Sequence, residues 1–415
     1  MTTLLICTFV HGNAYHTTGN RNKFNKLVRR RGYMHVRKRG NKWCFVLDVG
    51  RDPQTGKRKQ KWFSGFKTKK EAQKAMTAKL HELNQGAYIE PSKITLADYL
   101  NRWLNDYARI NCSPRTLEGY EYIIEKHLIP DLGNITLDKL KPMDLQNYYG
   151  NKLINGRKDG SGGLSPRSVL HHHRVLHEAL EYAVRWQVIA INPAKAATPP
   201  KPQKAQVNVL NKEEIHQLLT ASKGTPYYEP IFFAVNTGMR RGEIFGLRWK
   251  DINFENNIIS VRQTLQRLKS EGLKFRDTTK TDGSRRTIFV SESVIDMLKK
   301  LKTKQAKNKI KAGPYYKNYD LVFAKNDGSP IDVDYFSKAF GLLIKRINLP
   351  HIRFHDLRHT HATLLLQQGE HPKVVSERLG HSTIAITMDT YSHVMPNMQK
   401  EAAQKLDDFL FKNGG

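Results

Sequence analysis

Four short segments in the second half of the chain carry side chains suited to gripping and breaking a phosphate ester. Thr237-Gly-Met-Arg-Arg-Gly-Glu243 sets two arginines at a glycine-marked helix start, with an acid following. His355-Asp-Leu-Arg358 adds a histidine and an arginine one helical turn apart. Leu379-Gly-His381 supplies a second imidazole, and Asp389-Thr-Tyr391 a phenol ten residues later. Breaking a phosphodiester without a metal needs positive donors on the nonbridging oxygens, a nucleophile, and a proton for the departing hydroxyl. Arginine suits the first task because its planar fork binds two phosphate oxygens at once and keeps its charge. A free tyrosine has a pKa of about 10, so as a nucleophile it needs its proton removed and positive charge around it. Taken singly, the segments say little in a chain with 17 His, 17 Tyr and 69 Lys plus Arg.

Their order is what carries information. Thr237-Gly-Met-Arg-Arg-Gly-Glu243 comes first, then Thr279-Lys-Thr with Ser284-Arg-Arg286, then His355-Asp-Leu-Arg-His-Thr-His361, then Leu-Gly-His381, then Asp-Thr-Tyr391. This succession resembles the tyrosine recombinase (phage integrase) family over about residues 208–400. The resemblance implies a role for each residue. Arg240 and Arg358 clamp the scissile phosphate and stabilise its pentacoordinate transition state, with Glu243 supporting the clamp. Lys280, beside the Asp282-Gly283 turn, protonates the leaving 5′ hydroxyl. His355 assists proton transfer from the tyrosine, and His381 donates a hydrogen bond to the phosphate. Tyr391 attacks, leaving a 3′-phosphotyrosyl bond and a free 5′ hydroxyl. None of these positions departs from the family pattern.

A phosphotyrosyl bond keeps the energy of the broken DNA bond, so rejoining needs no ATP. The chain accordingly lacks a Gly-rich Lys-Ser/Thr phosphate loop, and no cofactor is expected. Arg241 adjoins Arg240, and only the family pattern chooses between them. Lys274 rivals Lys280 as proton donor, with a solvated strand charge as its ordinary reading. His355 and His359 have the spacing of a helical metal pair, but Arg358 stands against a cation there, and no metal is expected. The run 171–173 of three histidines reads as a solvated helix face, with a DNA backbone contact as the sharper option.

The elements that must position these residues follow from composition and patterning. A length of 415 residues suits two or three domains, and 39% apolar with 26% charged residues describes a globular chain. The net charge of +31 asks for a polyanionic partner. Residues 21–80 alone hold twenty Lys and Arg against Asp48, Asp52 and Glu71. Cys7, Cys44 and Cys112 have no paired spacing, which excludes a disulfide framework or a zinc site and fits the reducing bacterial cytoplasm. The apolar run 4–10 is far too short to cross a bilayer, and no membrane association is expected.

The expected fold is multidomain. An N-terminal α+β domain at 33–90 has a three-stranded sheet, with strands near 33–37, 43–47 and 59–63, and a helix opened by the Thr68-Lys-Lys-Glu71 capping box. An all-α domain spans 94–195, with Ser113-Pro114 and Ser165-Pro166 as helix starts. A proline-rich linker covers 196–207. The mainly helical α+β catalytic domain, of the tyrosine recombinase fold, runs over 208–415, with Asn211-Lys-Glu-Glu214 as its first cap. Its strands are expected near 258–264 and on either side of Asp282-Gly283, and an amphipathic tail helix over 398–411. Residues 1–32 fit nothing in the family, and Met34 is an alternative start.

By the same resemblance, 94–195 corresponds to the family's core-binding domain and 33–90 to its arm-binding domain. The expected partners are double-stranded DNA attachment sites of core and arm type, three further protomers at synapsis, an excisionase and a host DNA-bending protein. The activity implied is integration and excision of a phage or conjugative element. A chromosome-dimer-resolving recombinase is a rival that typically lacks the arm domain, and a type IB topoisomerase needs no separate arm and core sites. A catalytically inactive DNA-binding regulator is the rival outside enzymes, and its motifs would have eroded.

Overall fold

The computed structural model of the chain describes residues 35–51, 55–84, 93–203, 208–277, 285–391, 403–404 and 406–412. The segment 1–32, Met34, Lys280 and the Asp282-Gly283 turn lie outside the described residues. The described residues divide into two compact units, one of residues up to 106 with 123–201, the other of 107–122 with those from 202 onward.

The first unit begins with an antiparallel sheet of β1 (Arg37–Arg39), β2 (Lys42–Arg51) and β3 (Arg58–Phe66), in sequence order. β1 falls just after the segment expected to carry it. Alternation along β2 turns Phe45 and Leu47 to one face. There Phe45 stacks on Phe63 and Phe66, with ring centres 5.0 and 5.6 Å away. Helix α1 (Lys69–Asn84) covers that face through Ala72 and its neighbours. Its start carries half of the expected capping box: Thr68 Oγ1 accepts from the Glu71 amide at 3.1 Å, while the Glu71 carboxylate accepts at 3.0 Å from the amide of Lys67, one residue before the cap. The opposite face is open and basic. Arg37 lies 4.2 Å and Arg39 5.7 Å from the ring centre of Trp62, which is 47% exposed. An aromatic face steadies a cation without neutralising it.

The region after the sheet is all helix. Thr95 caps α2 (Leu96–Trp103), Pro114 opens α3 (Pro114–Ile123), Pro142 opens α4 (Pro142–Asn155), and Ser165 caps α5 (Pro166–Arg185) by accepting from the Ser168 amide. Tyr99, Leu100 and Trp103 of α2 are buried, as are Val169, Leu176 and Leu180 of α5. The Tyr99 hydroxyl donates to the Ala179 carbonyl at 2.6 Å, tying the two helices.

One expectation is corrected here. His172 is 4% exposed and bonds the Tyr148 hydroxyl at 2.9 Å, and His173 bonds the Tyr149 hydroxyl at 2.7 Å. Of the three, only His171 faces solvent. His172 follows Val169 and precedes Leu176 on the inward stripe of α5, and helical spacing buries it with them.

Besides 107–122, which carry most of α3, the second unit contains α6 (Lys212–Ser222), whose Asn211–Glu214 capping box forms in both directions. Then come α7 (Tyr228–Thr237), α8 (Arg241–Gly246) and, among the described residues, the strands β4 (Ile252–Asn253), β5 (Ile258–Val261), β6 (Gln263–Leu268), β7 (Gly272–Asp277) and β8 (Arg286–Phe289). The single strand expected over 258–264 breaks after Val261. Nor do the strands flanking Asp282-Gly283 pair with each other: β7 pairs with β6, and β8 with β5. Ile259 faces Ile288 across β5–β8, each almost wholly buried, and that apolar pair outweighs the local turn signal.

Helices complete the unit: α9 (Glu292–Ala312), α10 (Val333–Arg346), α11 (Asp356–Gln367), α12 (Pro372–Leu379) and α13 (Ile384–Tyr391). An aromatic cluster locks α8 to α10 and to the approach to α11, with Phe245–Phe336 at 4.7 Å and Phe336–Phe354 at 5.0 Å.

The buried His172 gives stability a pH dependence. Burial first, then the charges of His127 and Lys152, push its pKa down to about 3. The unfolded chain therefore binds its proton more readily, so this stability is complete above about pH 6.5 and is lost as pH falls toward 3. Thermal melts of the full chain between pH 7.5 and 4.5 should show a falling midpoint, with a shallower slope for His172→Gln.

Candidate active site

Two helix ends form the floor of the site. α7 stops at Gly238, whose φ of +63° suits glycine, and a Cβ there would sit 2.5 Å from the His361 ring and 2.7 Å from Leu379. α12 stops at Gly380, with φ of +70°, where a Cβ would press on the Arg286 guanidinium at 2.9 Å. The carbonyls at these ends carry the negative pole of each helix, and arginines collect on them. Arg358 donates to the carbonyls of Gly238 and Leu379 at 2.9 and 2.8 Å. Arg240 donates to that of Gly380 at 2.8 Å. Arg378 donates to Asn236 at 3.0 Å and to Phe289 at 2.8 Å.

The sharp turn at Gly238 makes Arg240 the N-cap of α8, so it and Arg241 leave in different directions. Arg240 points to Gly380 and Glu243. Arg241 bonds the Val333 carbonyl and Ser337 of α10 and pairs with Asp334. The geometry therefore brings Arg240, not Arg241, to the cluster.

Glu243 is 4% exposed and lies between two guanidinium groups. Arg240 donates to its Oε1 at 2.9 Å, and Arg286 donates to both carboxylate oxygens at 3.1 and 2.7 Å. Burial alone raises a carboxyl pKa, but the Arg286 hydrogen bonds and the charges of Arg286 and Arg240 outweigh it and hold Glu243 at about 2. Arg358 has only carbonyl partners among the described residues. Burial, then the charge of Arg240, lowers its pKa to about 9, which leaves it protonated at neutral pH.

Tyr391 ends α13, with 1% of its surface exposed, in a small core with Ala362, Leu366, Val375 and Leu379. Its hydroxyl meets His359 Nδ1 at 2.6 Å. Burial pushes the phenol up to about 12, while Arg358 pulls it down. His355 stands beside this pair, its ring perpendicular to that of His359 with centres 5.6 Å apart. His381 follows Gly380 and bonds the Thr387 hydroxyl at 2.8 Å. Both His355 and His381 are lowered to about 4, first by desolvation and then by Arg358, so they are neutral at pH 7. His361, which donates from Nδ1 to the Val235 carbonyl at 2.7 Å and accepts from Arg378, braces the floor from below.

Of the residues singled out in the sequence, Arg240, Glu243, His355, Arg358, His381 and Tyr391 thus stand together in one cluster. Lys280 lies outside the described residues, and Lys274 pairs with Glu271 on the β6–β7 hairpin. Sequence reasoning misses two participants. Arg286 stands in a recognised motif without a role. His359 reads there only as a metal ligand, although its spacing from His355 and Arg358 puts all three on one face of α11.

The Phage integrase family profile matches residues 208–398, that of a phage integrase N-terminal SAM-like domain residues 95–154, and that of an arm DNA-binding domain residues 35–83. A protein of Caldanaerobacter subterraneus subsp. tengcongensis described as tyrosine recombinase XerC-like is 31% identical over 391 residues, covering 90% of this chain and 98% of that protein. The ICEBs1 integrase of Bacillus subtilis strain 168 is 28% identical over 371 residues, or 88% and 97% of the two chains. The Tn1549 transposon integrase, solved with a circular intermediate DNA, matches with a TM-score of 0.63 at 23% identity, over 76% of this chain and 100% of that one. A lambda integrase tetramer bound to a Holliday junction matches at 0.54 and 19%, over 86% and 95%.

Sheet domain, helical domain and arginine-rich helical unit together are the architecture of DNA strand-exchange enzymes that use a tyrosine. The chain belongs to the phage integrase family of tyrosine recombinases, and it is a site-specific DNA recombinase.

Glu243→Gln leaves Arg286, 7% exposed, buried without its counter-charge. The variant should lose about 3–5 kcal/mol of stability, read from the denaturant midpoint of the full chain.

Proposed function

We propose that this recombinase integrates and excises the DNA of a phage or conjugative element through a 3′-phosphotyrosyl intermediate. The observation that carries the reading is Tyr391, held by its own chain within the cleft of Arg240 and Arg358. The two arginines take the nonbridging oxygens of the scissile phosphate, and Glu243 keeps Arg240 aimed. His381 donates a further hydrogen bond, with His355 nearby to assist proton transfer. Lys280 protonates the departing 5′ oxygen. Tyr391 forms the new bond to phosphorus, and the released 5′ hydroxyl later reverses the step on the partner duplex.

In this reading residues 33–90 bind arm-type sites, 94–195 and 208–415 close on the core site, and 196–207 link them. The exposed Arg37–Trp62–Arg39 cluster supports the first assignment, because a three-stranded sheet fits a major groove. It also favours an element integrase over a chromosome-dimer resolvase, an enzyme that typically has no arm domain. Work on two duplexes calls for four protomers, with an excisionase and a host DNA-bending protein setting direction, in the bacterial cytoplasm. An inactive regulator has no use for a phenol held among arginines.

A nicked suicide substrate carrying the core site tests the chemistry. Wild type should accumulate a covalent protein–DNA adduct that Tyr391→Phe abolishes; no adduct from wild type sinks the phosphotyrosyl mechanism.

The tail supplies a second test. Leu406, Phe409, Leu410 and Phe411 are 59%, 73%, 56% and 75% exposed, so these four side chains are not buried on their own chain. Its partner in this reading is a neighbouring protomer. Deleting residues 396–415 should leave single-site DNA binding intact and remove cooperativity from a gel-shift titration; unchanged cooperativity refutes the docking.

A further inference from the structure

Among the described residues the phenol of Tyr391 has one hydrogen-bond partner in the cleft, and it is not the histidine expected from the motif. His359 Nδ1 lies 2.6 Å from the phenolic oxygen, the length of a strong bond. His355, a turn earlier on the same helix face, contacts the ring of His359 and makes no bond to the phenol. The sequence pattern assigns proton transfer to His355 because that residue belongs to the recognised His-x-x-Arg segment. Helix geometry gives the contact to its neighbour instead.

We infer that His359 is the general base of the cleavage step, taking the phenolic proton of Tyr391 on Nδ1 as the tyrosine attacks. The inference rests on Tyr391 being the nucleophile. The step balances within the site. The Oη–H bond breaks and its proton passes to Nδ1, giving an imidazolium. Oη bonds to phosphorus, the P–O5′ bond breaks, and the 5′ oxygen takes a proton from the general acid. In rejoining, the imidazolium returns its proton to the tyrosine.

The surroundings of His359 suit this role. His355, Asp356 and Arg358 face it from its own helix, Arg353 from the residues before it, and Tyr391 from α13, with His381 near enough to feel its charge. Burial lowers its pKa, Asp356 opposes that, and Arg358 adds to it, so the ring is neutral and ready to accept at neutral pH. With Nδ1 as acceptor, the ring proton sits on Nε2. An entering phosphate adds negative charge beside the ring and makes the imidazolium easier to form just when the proton moves.

Single-turnover adduct formation on the suicide substrate, with gel-shift affinity as a check on folding, tests this with His359→Ala, His359→Asn and His355→Ala. Asparagine can still accept the phenolic hydrogen bond but cannot take the proton. Both His359 variants should therefore slow cleavage by about 10²–10⁴-fold, the usual contribution of general base catalysis. Added imidazole should restore part of the rate in His359→Ala and none in His355→Ala. A His359→Asn rate equal to wild type overturns the inference and leaves His359 as a support. A His359→Ala rate above wild type overturns it too, marking the bond as a latch, as does imidazole rescue of His355→Ala alone. Absence of any adduct from wild type is a different result, since it removes Tyr391 as nucleophile.

Discussion

One buried carboxylate, Glu243, allows several guanidinium groups to stand together. Like charges in a low-dielectric interior repel strongly, and Arg240, Arg286 and Arg358 converge there with no other acid among the described residues bonded to them. Glu243 neutralises part of this charge through two of them. The rest is tolerated because the C-terminal carbonyls of α7 and α12 offer partial negative charge without removing any positive charge. The result is a cleft with a net surplus of fixed cations. Burial first, and then that surplus, keeps the histidines around it unprotonated, and the cluster offers fixed positive charge to an anion.

The same constraint explains why both glycines matter. Arg358 reaches its carbonyls only because α7 and α12 end in left-handed turns that aim them inward. Gly238 and Gly380 also admit His361 and Arg286 into space that a side chain would fill. Fold and electrostatics are therefore one problem here. The arginines hold the helix ends together, and the helix ends hold the arginines apart.

Much of this is legible in the sequence where a local rule decides the outcome. The caps at Thr68, Ser165 and Asn211 open helices as expected, and the alternation of Phe45 and Leu47 marks the face covered by α1. The order of motif segments finds six of the cleft residues. Legibility fails where distant parts decide. The partner of β8 is set by Ile259 against Ile288, not by the nearest turn signal. His172 looks like part of a polar run and is core, because its neighbours on the helix stripe are apolar. His359 is hidden beside a better-known residue, since only a folded α13 shows which histidine the phenol meets. The choice between Arg240 and Arg241 likewise needs the turn at Gly238.

The exposed tail helix has a consequence for how the molecule behaves before it meets DNA. A chain with a net charge of +31 repels copies of itself, and that repulsion opposes the sticking together that bare Leu406, Phe409, Leu410 and Phe411 invite. In the proposed reading, duplex DNA cancels much of that charge and gathers protomers at high local concentration. Nucleic acid is then more than the substrate. In the proposed reading it also serves as the counter-ion that permits assembly.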